Sequence, residues 1–117
     1  MEVFVSDKLY PIPRGAQAEG VLGLKWREEL NRGGTDVGLN TASILAKGDP
    51  IGIEKVRHIA KYFPRHEIDK NAIGYRQGEK GFPSRGRIAW ALWGGDPGWV
   101  WAKKIVEQEN KRIKECT

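Results

Sequence analysis

The chain has 117 residues, a formal net charge of +5 and a single cysteine, Cys116. That length supports one domain with one core, and one cysteine excludes an internal disulfide framework, which points to a reducing, cytoplasmic setting. No run approaches the roughly 20 apolar residues of a membrane span, and the opening MEVFVSDKLYPIP lacks the apolar stretch of a signal peptide.

In chain order, residues 1–14 read as an extended arm or edge strand: Val3 and Val5 alternate weakly, and Pro11 and Pro13 enforce extended backbone. A helical core is expected over 15–114. Its first helix runs from about Ala16 to Leu30, with Val21, Leu22, Trp26 and Leu30 turned inward. Gly20 and Gly23 lower its propensity by roughly 1 kcal/mol each, which marks them as places of close helix contact. A second helix spans Asp36 to Lys47 and stops at Gly48. Asp49-Pro50 opens a third, ending at Phe63-Pro64. Its apolar residues (Ile53, Val56, Ile59, Ala60, Phe63) fall on an arc of about 120°. The opposite side carries Glu54, Lys55, Arg57, His58, Lys61 and Tyr62.

Residues 65–83 form a polar, glycine-bearing connection. Ser84 caps a fourth helix that is apolar nearly all round, so it is the expected centre of the fold. Gly94-Gly95 ends it, and Asp96 is expected to cap a fifth helix with Pro97 at its first position. Trp90, Trp93, Trp99 and Trp101 fall within twelve residues across this corner. Each ring removes about 150–250 Å² from water when buried, so the cluster reads as the structural heart of an all-α domain. The helical angles place Trp93 inside the apolar arc of the fourth helix and Trp90 at its border, where an exposed ring offers a docking surface.

Charge is unevenly spread. Nine Lys/Arg and three acids lie between Lys55 and Arg87, a net +6, and the remainder of the chain sums to −1. Such asymmetry points to a polyanionic partner; the alternative is a solvated face on a basic small protein. The expected nucleic-acid face comprises Lys55, Arg57, His58, Lys61 and Tyr62 on the third helix, then Lys70, Arg76 and Lys80 in the connection. Lysine and arginine displace counterions from phosphates, and an exposed ring can stack on bases. The second and third helices have the proportions of a helix-turn-helix, although Glu54 and Arg57 then fall where packing residues belong.

Metal-dependent nuclease chemistry is an alternative at His58, His66, Glu67 and Asp69, since such sites need carboxylates beside a phosphate path. His66-Glu67 has no second histidine four residues on, so it is not a zinc-helix motif. Against it stands a structural reading in which Arg65, His66, Glu67 and Asp69 fix the turn after the third helix. The glycine clusters contain no GxxxxGK[ST] phosphate loop. No cofactor is expected.

The segments RHEIDK, GFPSRGRIAWALWGGDPG, WAKKI and NRGGTDVGL resemble a small domain encoded by tailed bacteriophages and prophages, both free-standing and beside head-maturation protease regions. The likeness covers about residues 17–106. Where that family has an Arg-rich run, this chain has Thr41-Ala42-Ser43. The resemblance implies a phage context, cytoplasmic in the infected host or virion-associated, and supplies no catalytic residues. The reading is a non-enzymatic phage accessory protein that binds nucleic acid. Its rival is an interaction module docking on a phage head or protease component through Trp90 or the N-terminal arm.

Overall fold

Pro13, held at φ −63° and ψ 148°, delivers the chain in extended form to the first helix. The structure, a computed structural model, describes residues 8–116; Val3, Val5 and the rest of the expected arm up to residue 7 lie outside them. Within the described part, β1 (Leu9–Tyr10) pairs antiparallel with β2 (Ile51–Gly52), Tyr10 opposite Ile51. The helices are α1 (Arg14–Leu30), α2 (Asp36–Lys47), α3 (Ile53–His66), α4 (Arg85–Leu92) and α5 (Gly95–Cys116), with a 3-10 turn at Glu67–Asn71. The fold is an all-α single domain with one two-residue ladder. No helix among the described residues is long and apolar enough to cross a membrane.

Local chemistry explains most of the boundaries. The Thr35 hydroxyl accepts from the Gly38 N–H at 3.2 Å and starts α2. The Ser84 hydroxyl accepts from the Arg87 N–H at 3.0 Å and starts α4, as its sequence position predicts. Three boundaries differ from expectation. Ile51 and Gly52 extend into the ladder before α3 begins, so the helix opens later than Asp49-Pro50. It also continues past Pro64 to His66, because a proline this close to a helix end removes only one bond. α5 begins at Gly95, which places Asp96 inside its first turn rather than at the cap.

α1 packs on α2, α4 and α5, while α3 packs chiefly on α5. The inward face of α1 is Ala16, Gly20 and Gly23, and the expected core residues Val21 and Leu30 are exposed. A Cβ on Gly23 would lie 2.8 Å from the Leu92 backbone nitrogen, and one on Gly20 3.0 Å from the Leu45 Cβ. Bare backbone thus lets α4 and α2 approach α1 closely. Because α2 joins α1 and α3 joins α5, the two helices do not form a helix-turn-helix unit.

The core is aromatic at its centre. Trp90 is 1% exposed, so it lies inside rather than at a border. Its ring meets Phe63 edge-on at 4.8 Å and Trp99 edge-on at 5.8 Å, while Phe63 stacks on Trp99. Trp93 is 7% exposed; Trp99 and Trp101 are half-buried against the same core. Trp26 packs edge-on to Phe82 and lies under the Arg87 guanidinium at 5.1 Å. Arg87 in turn holds Glu19 through two bonds of 3.0 and 3.2 Å, tying α4 to α1. At the far end the Tyr10 hydroxyl donates to the buried Glu109 carboxylate at 3.2 Å, and Arg112 donates to the other oxygen of that carboxylate.

Candidate nucleic-acid interface

α3 divides into three strips, and they decide which of the expected residues face solvent. Val56, Ile59 and Phe63 are fully buried. Lys61, Arg65 and His58 are exposed, with Glu54 at the N-terminal end of the same strip. The spacing His58, Lys61, Arg65 repeats at i, i+3 and i+7, so the three stand along one side of the helix over about 10 Å.

Between these strips lies a third, covered by α4. Tyr62 is 8% exposed and stacks on Trp93 at 4.7 Å with planes 6° apart. It is therefore a core residue, which corrects its placement on the binding face. On its other side it stacks on His66 at 4.2 Å and 14°. The Tyr62 hydroxyl is buried without a hydrogen-bond partner, and burial, then the nearby Asp69 and Tyr75, push its pKa up.

The remaining expected contacts sort by their partners. Lys55 is half-buried; its Nζ donates to the Thr41 hydroxyl at 2.8 Å and lies 5.7 Å from the Trp93 ring centre. Burial lowers its pKa. Arg57 donates to the Asn110 side-chain oxygen at 2.9 Å, strapping α3 to α5. Lys70 pairs with Asp96 at 3.0 Å and lies 4.6 Å over Trp90, so it closes the core rather than reaching outward. Arg76 is exposed and donates to the Lys70 carbonyl at 3.1 Å; Lys80 is exposed. His58 sets its ring edge-on to Trp93 at 5.0 Å. Burial, then the charges of Lys55 and Lys61, lower its pKa, so at neutral pH it is an uncharged imidazole and brings no charge to a phosphate.

The acids of the basic third are largely occupied locally. Glu79 accepts from the backbone N–H groups of Gly74 and Arg76, and that of Arg76 leads in holding its carboxyl below the usual range. Asp69 Oδ2 lies 3.7 Å from His66 Nδ1 across the turn. Among the described residues no group of three or more His, Cys, Asp and Glu side chains is arranged to hold a metal ion. His58, His66, Glu67 and Asp69 accordingly do not form the donor set that the nuclease alternative needs.

The exposed cations that stand together on α3 are Lys61 and Arg65. Arg65, four residues after Lys61, shares its side of α3 and is exposed, whereas the sequence pattern groups it with His66, Glu67 and Asp69 as residues that fix the turn. Comparison of the chain with protein-family models, with curated proteins and with solved structures gave no match.

Proposed function

We propose that this protein is a non-enzymatic phage accessory factor that binds nucleic acid through the solvent side of α3, with Lys61 and Arg65 as its principal phosphate contacts. The observation that carries the reading is their placement. Two exposed cations stand one turn apart on a helix whose other sides are packed into the core, so the chain presents charge on a rigid support. Arg76 and Lys80, both exposed, extend this surface into the connection. The phage setting rests on the WALWGGD likeness.

Salt dependence tests the reading. With Lys61, Arg65, Arg76 and Lys80 each meeting a phosphate, log affinity against log salt has a slope of about −4 on duplex and about −3 on single strands. The double change Lys61→Glu, Arg65→Glu abolishes binding and leaves the helical circular dichroism unchanged. No binding to DNA or RNA at about 50 mM salt, where phosphate contacts are strongest, removes the proposal.

A second reading has its own observation. Ile68 and Ile73, around the 3-10 turn, are 72% and 78% exposed, which suits a protein-docking surface of a head or protease component. Binding to such a partner that survives high salt favours this reading over the first.

A further inference from the structure

The parallel rings of Trp93, Tyr62 and His66 have a consequence for the kind of nucleic acid bound. Tyr62 lies within 4.7 Å of Trp93 and 4.2 Å of His66, nearly parallel to both. Two rings that close to the same face would overlap, so His66 and Trp93 occupy opposite faces of Tyr62. The stack thus starts in the core at Trp93 and ends at His66. One face of the His66 ring is covered by Tyr62, and its Nδ1 edge is turned to Asp69 at 3.7 Å. Its side chain is still 45% exposed beside these two contacts. Arg65, exposed, is its chain neighbour.

We infer that the outer face of His66 is a stacking platform for an unpaired base, and that the nucleic acid bound at α3 is single-stranded. This rests on the preceding proposal and specifies its substrate. A base inside a duplex has both faces covered by its neighbours and is closed to the platform, whereas a base in a single strand is freed at a much smaller unstacking cost. The ring is held in plane and in orientation before binding, so little side-chain freedom is lost on contact. Stacking on a ring tolerates any base, and the contact therefore confers strand preference without sequence preference.

The experiment compares four probes of equal length by fluorescence anisotropy: a single-stranded oligodeoxynucleotide, its RNA counterpart, an abasic strand with the same phosphates, and the duplex. The wild-type protein is expected to prefer the base-bearing strands over the abasic strand by about tenfold, the scale of one base–aromatic stack. In His66→Ala that preference disappears while affinity for the abasic strand is kept, and His66→Trp restores it. A role confined to holding the turn leaves the wild type without base preference. Equal binding to all four probes, or a preference that persists in His66→Ala, overturns the platform and leaves the phosphate contacts standing. Binding to none of them overturns both proposals. The wild-type comparison decides the matter even where His66→Ala folds poorly.

Discussion

Trp90 and Asp96 are joined across the corner between α4 and α5: the indole Nε1–H donates to the Asp96 carboxylate at 2.9 Å. The same oxygen accepts from Lys70 Nζ at 3.0 Å, and the Lys70 ammonium lies over the Trp90 ring. Ring, carboxylate and ammonium therefore satisfy one another in a closed set. The most buried indole of the chain has its one polar atom paired.

The first prediction follows from the charge of Asp96. Burial opposes ionisation, but hydrogen bonds from Lys70 and Trp90 and the charges of Lys70 and Arg87 outweigh it and hold the carboxyl below its ordinary pKa. A carboxyl depressed in the folded state contributes stability that is present above its unfolded pKa and is lost as pH falls through its folded one. Asp96→Asn lowers the melting temperature at neutral pH and flattens the loss of stability below about pH 4. Melting curves of both proteins between neutral and acid pH check this. A variant with an unchanged acid limb counts against the set.

Trp90→Ala and Trp93→Ala are both expected to cost about 3–5 kcal/mol, the usual range for deleting a buried aromatic. Trp90→Ala matches or exceeds Trp93→Ala, because its ring is the more deeply buried and its Nε1–H bond to Asp96 is lost as well. Urea melts of the two variants rank them, and a clearly smaller loss for Trp90→Ala contradicts the burial described above.

His58 gives a stability change of its own near neutrality. Its folded pKa lies below its unfolded value, with burial the leading cause. Below the unfolded pKa of about 6.5 the unfolded chain binds more protons than the folded one, so stability falls as pH drops from there. His58→Gln removes this limb, and the difference between the two melting profiles across pH 5–7, the window of histidine titration, measures it.

The glycines of α1 supply a fourth test. Alanine at position 23 gains about 1 kcal/mol of helix propensity but meets the backbone of α4, which cannot swing aside. Overpacking costs typically about 1–3 kcal/mol, so Gly23→Ala is destabilising on balance. Gly20→Ala meets mainly the Leu45 side chain and costs less. Equal stability of Gly23→Ala and wild type shows that the helices are not in contact there.

Elements announced by local chemistry were legible in the sequence: Ser84 and Gly48 mark helix ends because capping depends on residues within one turn. The inner face of α1 was not, since it is built of Ala16, Gly20 and Gly23, and apolar periodicity rewards Val21 and Leu30 instead. Trp90 was misplaced for a related reason. A helix enclosed on all sides has no outer border for a single-helix projection to find. Tyr62 lies opposite the apolar arc of α3, and it is buried by rings brought in from the α4 segment, Trp93 above all. For the candidate site the same limit applies. Lys55, Arg57 and Lys70 find Thr41, Asn110 and Asp96, partners distant in the chain that sequence position does not reveal, whereas Lys61 and Arg65 show their common side through spacing alone.

The hydrogen bond from Tyr10 to Glu109 spans 99 positions of sequence. With it the polypeptide nearly closes into a loop, and where that loop is cut matters little to the contacts inside. A circular permutant that joins the segment before Tyr10 to the segment after Glu109 by a short flexible linker, and opens between Gln77 and Gly78, both exposed, should fold to the same domain. New ends at an exposed loop tip are the kind such rearrangements tolerate. The order of elements along the backbone is then one of several that this architecture accepts.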